Sequence, residues 1–392
     1  MKFFVAAFLC ATLGISSADI KPLTVQDNQV LIGGSPGALV GNSLFWSNSN
    51  WGGEKFYNAK CVQWLKKDWN SNLIRAAMGV EESGGYLQDP QNNLARVKAV
   101  IEAAIAAEIY VIVDWHSHCA NQHQDEAIKF FQEIAKCYGN NTNLIYEIWN
   151  EPKDDVSWSA NVKPYAIAVI KAIREIDNNN LIVVGSPHWS QDVDAAAADP
   201  ITGFKNIVYS LHFYCGSHHQ DLRDKAAAAL KKIPLFVTEW GAVNADGNGG
   251  VNQDETNKWI EFMKANNLSN ANWSLNDKPE GASSLKSGCK PEGEWNDSDL
   301  TESGTFVRNA IKQWVSNSAL NSPSNSNSNS GSNSGSNSGS NSGSNSGSNS
   351  GSNSGSSSGS NSGSNSYSNS SQTISKNPAN TDVCSCCVCN CP

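Results

Sequence analysis

Two glutamates in this 392-residue sequence stand in apolar, strand-like surroundings: Glu151 closes the motif of residues 145–152 (IYEIWNEP), and Glu239 lies in residues 234–241 (PLFVTEWG). A carboxylate beside Trp, Phe and Ile loses hydration, so it persists only where it is paired or used in chemistry. Two such carboxylates suit glycoside hydrolysis, in which one carboxyl group protonates the leaving oxygen and the other attacks the sugar or activates water. For either motif alone, a structural ion pair is the competing interpretation.

Eight apolar runs of strand length alternate with longer amphipathic stretches, and these are the elements that must position the two glutamates. Strands are predicted at residues 38–46, 73–79, 109–116, 144–151, 181–189, 207–214, 235–241 and 271–275. Helical patterns include residues 93–107, 125–138, 162–176, 222–232 and 252–266. This alternation favours parallel strands joined by right-handed crossovers. Eight repeats predict the α/β class and a closed (β/α)8 TIM barrel.

The active site of such a barrel is built at the carboxyl ends of its strands. Nearly every predicted strand carries or ends in a side chain capable of chemistry, in chain order Trp46, Arg75, His116, His118, Asn150, Glu151, His188, Trp189, His212, Tyr214, Glu239 and Trp273. A doubly wound open sheet would not gather all eight strand ends around one point. The barrel is therefore the architecture that unites these residues.

The two ends of the chain differ in composition from the part between them. Residues 1–18 join a basic residue to an apolar run and small residues, which predicts a signal peptide and hence a secreted, extracellular protein. The barrel domain is predicted at residues 19–320. Residues 321–371 repeat Ser, Asn and Gly and predict a disordered, flexible linker, followed by a short Cys-rich tail at residues 372–392.

Charge and hydropathy exclude two kinds of partner. The formal net charge of −9 argues against nucleic acid, which favours basic surfaces. No stretch after the signal peptide is long and apolar enough to span a bilayer, so no membrane partner is expected. A neutral polymer such as a polysaccharide remains compatible with this charge.

Seven motifs, taken together and in chain order, resemble those of glycoside hydrolase family 5, and more narrowly the β-1,4-endoglucanases (cellulases) of its subfamily 2, known from bacteria and plant-parasitic nematodes. They are Asn42–Trp46, Ile74–Gly79, Val113–His118, Glu147–Pro152, Leu211–Tyr214, Val237–Gly241 and Asn272–Lys278. The resemblance covers roughly residues 22 to 318, the whole globular part. It implies a TIM barrel that acts on β-1,4-glucan.

The resemblance also implies a role for each matching residue. Glu151 matches the family's acid/base and Glu239 its nucleophile, while Asn150 matches the residue that holds the sugar 2-hydroxyl. The remaining positions match substrate-binding groups: Arg75 and Tyr214 around the nucleophile, His116, His212 and Trp273 at the subsite where the bond is cut, and Trp46 and Lys278 on the glycone side.

The chemistry of a retaining enzyme gives each glutamate a required protonation state. Glu239 must be ionised to attack the anomeric carbon, and a neighbouring Arg75 and a hydrogen bond from Tyr214 would favour that form. Glu151 must be protonated, which we expect burial against Trp149 to promote. The two carboxyl groups are expected to lie roughly 5 to 5.5 Å apart, as retention requires.

The histidines offer a metal site as an alternative, since His is the commonest metal ligand. His116, His118, His212, His218 and His219 are the residues concerned. None has an acidic partner at a recognised metal-site spacing, and the expected reaction needs no metal. We therefore predict no metal and no cofactor.

Ten cysteines remain after the signal peptide, five in the barrel and five in the tail. The barrel cysteines are Cys61, Cys119, Cys137, Cys215 and Cys289. In a secreted protein they favour disulfides. Because each group is odd, a barrel-to-tail bridge, an intermolecular bridge and free thiols all remain open, and a thiolate metal cluster is the alternative for the tail.

These observations together favour a secreted, monomeric, retaining endo-β-1,4-glucanase whose partner is the β-1,4-glucan of plant cell walls. A related retaining endo-hydrolase acting on mannan, xylan or mixed-linkage glucan is the alternative enzyme, because loops set the specificity of a barrel. A polysaccharide-binding protein without activity is the alternative from another class. The presence of both glutamates with Asn150 and Arg75 argues against it.

Overall fold

Eight parallel strands of the chain close into a barrel, as seen in a computed structural model that describes residues 20–320. Three short strands precede the barrel: β1 (Leu23–Gln26), β2 (Gln29–Ile32) and β3 (Ser35–Pro36). The barrel strands are β4 (Val40–Leu44), β5 (Leu73–Gly79), β6 (Tyr110–His116), β7 (Leu144–Glu147), β8 (Leu181–Val184), β9 (Ile207–Tyr214), β10 (Leu235–Gly241) and β11 (Asn270–Leu275). They follow one another around the barrel in chain order, and β11 pairs with β4 to close it. The predicted TIM barrel is confirmed.

Helices alternate with the barrel strands and pack around them. They are α1 (Ala59–Trp64), α2 (Pro90–Ala106), α3 (Gln124–Tyr138), α4 (Lys163–Arg174), α5 (Pro187–Ser190), α6 (Val193–Ala198), α7 (Gln220–Ala229), α8 (Gln253–Ala265) and α9 (Glu302–Leu320). The five helices predicted from the sequence are α2, α3, α4, α7 and α8, and all are confirmed to within a few residues. In the described part of the chain, no helix has the length and apolar character needed to cross a membrane.

Three strands are several residues shorter than the sequence suggested, and one of them is β4, which spans Val40–Leu44 instead of residues 38–46. β7 ends at Glu147 rather than at Glu151, and β8 ends at Val184 rather than at Trp189. After β7 the apolar run continues into a loop that is itself buried, as Ile148 and Trp149 are. After β8 the next three residues, 185–187, are buried as well, but they form no strand ladder. Glu151 therefore lies on the loop after β7 and Trp189 in the short helix α5, both beyond the barrel strands.

A small antiparallel sheet of β1, β2 and β3 closes the amino-terminal end of the barrel. Leu23 and Val30 of this sheet share an apolar cluster with Leu73 and Tyr110, the first residues of β5 and β6. The backbone N–H of Val25 also donates a 3.0 Å hydrogen bond to a side chain in the loop before β9. This end of the barrel is filled with apolar side chains, which leaves the opposite, carboxyl end for chemistry.

Gly41 in β4 permits a close approach between two barrel strands. A Cβ atom there would lie 1.8 Å from the carbonyl oxygen of Leu73 in β5. We expect Gly41→Ala to lower the free energy of unfolding by about 1–3 kcal/mol, because the paired backbones must move apart. Denaturant titration measures this difference. The control Gly250→Ala, whose Cβ would meet only a Glu302 carboxylate oxygen at 3.7 Å, should change it by less than about 0.5 kcal/mol; equal losses would contradict the close approach.

The predicted signal peptide at 1–18, the linker at 321–371 and the tail at 372–392 lie outside the described residues, so these boundaries stay predictions. Within the barrel, Cys61, Cys215 and Cys289 carry free thiols. Burial raises the pKa of the Cys215 thiol to about 12, so it is held as an unreactive thiol. Any bridge or cluster formed by the tail cysteines also lies outside the described residues.

Candidate active site

Glu151 and Glu239 meet at the carboxyl end of the barrel. Glu239 lies within β10, two residues before its end, and is 4% exposed. Glu151 lies four residues beyond the end of β7, and its backbone N–H donates to the carbonyl oxygen of Ser117 at 3.2 Å. A carboxylate oxygen of Glu151 and one of Glu239 lie within 4.8 Å of each other. The sequence-predicted pair therefore faces a common point.

Arg75 is the buried cation that holds the floor of the site together. Its guanidinium makes ion pairs with Glu147 at 2.7 Å, Asp114 at 2.9 Å and Glu239 at 2.9 Å. It also donates to Oδ1 of Asn150 at 2.7 Å. The side chains of Arg75, Asp114 and Glu147 are all 0% exposed. Because one cation faces three carboxylates, the cluster carries excess negative charge unless a proton or a second cation joins it.

Glu239 accepts two hydrogen bonds, one from Arg75 at 2.9 Å and one from the hydroxyl of Tyr214 at 2.6 Å. Burial and the charge of Glu151 raise the pKa of Glu239, while His212, Arg75 and Tyr214 act to lower it. Arg75 lowers the pKa of Glu239, as expected from the sequence, but burial and the charge of Glu151 raise it by more. Any step that neutralises Glu151 therefore favours the ionised form of Glu239.

Glu151 is held between two histidines. Its Oε1 lies 2.9 Å from Nδ1 of His212, and its Oε2 lies 3.4 Å from Nε2 of His118. Burial raises the pKa of Glu151, but hydrogen bonds with His118 and His212 outweigh it and lower that pKa to about 2. The expectation that burial keeps Glu151 protonated is therefore wrong for the free site.

His212 holds the proton that Glu151 lacks. Burial lowers the pKa of His212, but hydrogen bonds to Glu147 and Glu151 raise it to about 9. At neutral pH the pair is thus a carboxylate and an imidazolium sharing one proton. The sequence placed His212 in the site as a substrate-binding residue, without this link to the acid/base candidate.

Three residues beneath the site escaped the sequence analysis: Asp114, Glu147 and Thr238. Asp114 and Glu147 are register partners on β6 and β7, and the Thr238 hydroxyl lies 2.6 Å from Oε1 of Glu147. The sequence could have pointed to the two acids, because each is a charged residue within an otherwise largely apolar strand and within one of the seven motifs. A buried arginine in the adjacent strand β5 requires such counter-charges.

His116, Trp273 and Trp46 form a packed wall beside the glutamates. The rings of His116 and Trp273 are stacked with centroids 5.1 Å apart, and Trp46 meets the edge of His116 at 4.2 Å. Nδ1 of His116 lies 2.6 Å from Asp114, so it donates its proton there and leaves Nε2 for the cleft. Lys278 lies further out, with its Nζ 4.2 Å from the ring centre of Phe45.

The cleft extends on both sides of the two glutamates. The side that holds Trp46 and Lys278 is further lined by Phe45, Trp51, Glu82, His118 and Glu280. The opposite side is lined by His188, Trp189, Gln191, His212 and His218. Eight of the ten sequence-predicted site residues line this cleft. Arg75 bonds directly to the lining residue Glu239, and Asn150 bonds to Arg75. Both halves carry flat aromatic rings, which suit the apolar faces of sugars.

The five histidines considered as a metal site do not form one among residues 20–320. Two other groups have donor atoms at metal-like spacing: Glu151 with His212 and Glu239, and Glu81 with Cys119 and His123. In the first group both ring nitrogens of His212 already face hydrogen-bond partners, Glu151 and Thr238 at 2.9 Å each. That histidine offers no free nitrogen to an ion. The absence of a metal from the reaction stays a prediction.

Comparison with known proteins identifies the family. The model of the family "Cellulase (glycosyl hydrolase family 5)" matches residues 30–279. Endoglucanase Z of Dickeya dadantii is 56% identical over 314 residues, which cover 78% of this chain and 71% of that protein. An endoglucanase of Clostridium saccharobutylicum is 47% identical over 260 residues, covering 65% of this chain but 58% of its own length.

Solved structures show the same relationship. A structure from Cytophaga hutchinsonii is 46% identical, with a TM-score of 0.73, and the match covers 77% of this chain and 97% of that one. The catalytic domain of Thermobifida fusca endoglucanase Cel5A is 31% identical, with a TM-score of 0.70, covering 74% and 97% respectively; a variant of that domain was solved with cellotetraose. The narrower assignment to subfamily 2 stays a prediction. The chain belongs to glycosyl hydrolase family 5 and carries the cellulase domain of that family.

Proposed function

We propose that the protein is a secreted endo-β-1,4-glucanase that hydrolyses internal bonds of cellulose with retention of configuration. The observation that carries this proposal is the approach of the Glu151 and Glu239 carboxylates to within 4.8 Å. Retaining enzymes hold their two carboxyl groups about 5–5.5 Å apart, whereas inverting enzymes need roughly 6.5–9.5 Å to admit a water molecule. A nearest approach of carboxylate oxygens within 4.8 Å fits the shorter, retaining separation better than the inverting one.

In the first step, Glu239 attacks the anomeric carbon while Glu151 gives its proton to the leaving oxygen. Arg75 and Tyr214 hold the Glu239 carboxylate by its two different oxygens, which fixes the direction of attack. The Arg75 bond to Oδ1 of Asn150 leaves the amide NH2 of Asn150 to donate to a sugar hydroxyl. A glycosyl-enzyme ester on Glu239 results.

In the second step, Glu151 acts as a base towards water, which attacks the ester carbon and releases Glu239. The proton taken from water restores the starting state of the site. Two displacements at one carbon return the original configuration. The same residue thus serves as acid and then as base, because it has lost its proton to the leaving group before water attacks, and its partner His212 can hold the regained proton between turnovers.

The shape of the cleft supports internal cleavage of a chain. It continues past the glutamates on both sides, with Trp46 and Trp51 along one half and Trp189 along the other. A groove open at both ends accepts a polymer, whereas a closed pocket accepts a chain end. The cellotetraose complex of the Thermobifida fusca domain supports a β-1,4-glucan as the substrate class.

The proposal is tested with soluble carboxymethylcellulose, mannan and xylan offered to the full chain. We expect reducing sugar from carboxymethylcellulose together with a rapid fall in viscosity, which marks internal cleavage. Release only from mannan or xylan would assign the alternative specificity. A folded protein that binds cellulose and releases nothing from any of the three would favour the binding-protein alternative.

The pH dependence of kcat/KM should report the two shifted groups in the site. Glu239 must be ionised and its pKa is raised, so activity is lost as pH falls through a value above the ordinary 4.5. The Glu151–His212 pair must keep its proton, so activity is lost as pH rises through about 9. Initial rates on a soluble cello-oligosaccharide from about pH 4 to about pH 11 measure both limbs. A basic limb near 6.5, the ordinary histidine value, would contradict this assignment.

Secretion and the monomeric state belong to the same proposal. Amino-terminal sequencing of protein exported from an expressing cell should begin after residue 18 if the signal peptide is as predicted. Light scattering during gel filtration should give the mass of one chain. An uncleaved amino terminus or a dimer mass would contradict the respective part.

A further inference from the structure

The hydroxyl of Thr238, one residue before Glu239, lies among three polar partners beneath the site. These are Ser210 Oγ at 2.6 Å, Oε1 of Glu147 at 2.6 Å and Nε2 of His212 at 2.9 Å. Thr238 is 0% exposed, so no solvent competes for these bonds. A threonine hydroxyl has one proton to donate and two lone pairs to accept with. The three partners therefore occupy all three hydrogen-bonding positions of the Thr238 hydroxyl.

Counting donors and acceptors fixes the direction of each bond. Glu147 is ionised, since Arg75 donates to its Oε2 at 2.7 Å, and a carboxylate only accepts. The single Thr238 proton must then go to Glu147. The other two partners must donate to the Thr238 oxygen, which requires a proton on Nε2 of His212. The Thr238 hydroxyl thus selects one tautomer of the histidine.

We propose that Thr238 is a positioning residue that keeps Nε2 of His212 protonated, so that the ring exchanges its second proton only at Nδ1, the nitrogen that faces Glu151. The Glu151–His212 pair is then the store for the one proton that the acid/base needs. This inference deepens the proposed function and rests on it. The role of Thr238 itself can be measured without turnover.

The proton balance over one cycle is closed. Before substrate binds, the proton lies on Nδ1 of His212 and Glu151 is a carboxylate. When sugar covers the site, the proton passes along the 2.9 Å Nδ1···Oε1 hydrogen bond to Glu151 and then to the glycosidic oxygen as that C–O bond breaks. In the second step water gives a proton to Glu151, which passes it back to Nδ1. His212 ends as it began, and no other reactant is needed.

The groups that face His212 agree with this assignment. From β7 and its loop come Glu147, 3.6 Å from Nε2, and Glu151 at Nδ1. Glu239 of β10 favours the charged ring, and His118 shares Glu151 with it. Asp114 and His116 also interact electrostatically with the ring, while Arg75 is paired with Glu147 and Glu239. The 3.6 Å between Nε2 and Glu147 is too long for a hydrogen bond, so the hydroxyl oxygen of Thr238 is the acceptor of the Nε2–H hydrogen bond.

The experiment compares Thr238→Val, which keeps the shape and removes the hydroxyl, with Thr238→Ser, which restores it. We expect the basic limb of the pH–kcat/KM profile to fall by about one pH unit in Thr238→Val, since a charged imidazolium loses a buried acceptor. KM should stay unchanged. Thr238→Ser should return the limb towards its original position. The control Ser210→Ala removes a donor to Thr238 but no acceptor of His212. The basic limb of the pH profile of this variant should therefore stay where it is in the natural protein.

Nitrogen-15 NMR of histidine-labelled protein, with His212 assigned by loss of its signal in His212→Gln, tests the tautomer directly. In the natural protein, Nε2 of His212 should stay protonated on both sides of the ring's titration. A proton on Nδ1 of the neutral ring, or identical basic limbs for Thr238→Val and the natural protein, would overturn the inference. If the natural protein hydrolyses no glucan, the proposed function fails while the tautomer is still decided. If Thr238→Val does not fold, the spectrum of the natural protein alone decides it.

Discussion

Glu239→Gln is expected to lower kcat on carboxymethylcellulose by roughly four orders of magnitude or more, as removal of a nucleophile does in other covalent mechanisms. The amide cannot form the ester, but it is nearly the same shape as the carboxylate. The oxygen of the Gln side chain can still accept a hydrogen bond from Arg75 or Tyr214. In the natural protein these two residues bind the Glu239 carboxylate at 2.9 Å and 2.6 Å. Binding of cello-oligosaccharides, followed by tryptophan fluorescence, should therefore survive.

The matched control is Glu261→Gln on the exposed side of α8, far from the cleft. It removes the same charge from the surface and should leave both kcat and binding unchanged. Turnover by Glu239→Gln close to that of this control would remove Glu239 from the mechanism. Loss of binding together with turnover would show that the variant site has collapsed and would contradict the isosteric argument.

Arg75→Met is expected to destabilise the fold and to impair catalysis. The substitution keeps an unbranched side chain but leaves Asp114, Glu147 and Glu239 buried without their shared cation. Removing one partner of a buried ion pair costs about 3–5 kcal/mol of unfolding free energy. Arg75 also helps to lower the pKa of Glu239, so its loss should move the acid limb of the activity profile to higher pH.

Urea titration of Arg75→Met at neutral pH measures the first effect, and a pH–rate profile measures the second. Lys225→Met is the control, because Lys225 pairs with Asp192 and Asp194 at partly exposed positions on the surface. Such a pair contributes less than about 1 kcal/mol. Equal stability losses in the two variants would contradict the role of Arg75 as the central buried cation.

The barrel could be predicted from the sequence because its signal is repeated eight times. The barrel strands are buried over their whole length and most of them are largely apolar, which is typical of strands covered on both faces. Amphipathic helical patterns follow most of them. The small sheet of β1, β2 and β3 could not be predicted in the same way. Its strands are 2–4 residues long, too short for any periodicity to appear.

The membership of the site was also readable, because side chains at the ends of barrel strands converge by geometry. Its protonation states were not. The sequence shows that Glu151 follows a tryptophan, but it does not show that His212, 61 positions away, lies 2.9 Å from its carboxylate. Burial raises the pKa of a carboxyl group, and a hydrogen-bonded histidine lowers it. The direction of the pKa shift of Glu151 therefore depends on its distance from His212, which only the folded structure provides.

Asp114, Glu147 and Thr238 illustrate the same limit. Each is a polar residue in a buried strand, and that alone indicates a partner without naming it. Their partners come from neighbouring strands: Arg75 on β5 for the two acids, and His212 on β9 for Thr238. Register between parallel strands decides these pairs, and register follows from closure of the whole barrel rather than from local sequence.

The most direct test of the central claim, that Glu151 and Glu239 act as a retaining pair, is the configuration of the first product. Proton NMR can follow hydrolysis of a soluble cello-oligosaccharide from its first minutes, before the free anomers interconvert. The account predicts that the β anomer of the newly formed reducing end appears first and the α anomer only later by mutarotation. Initial appearance of the α anomer would show inversion and would contradict the double displacement assigned to this pair.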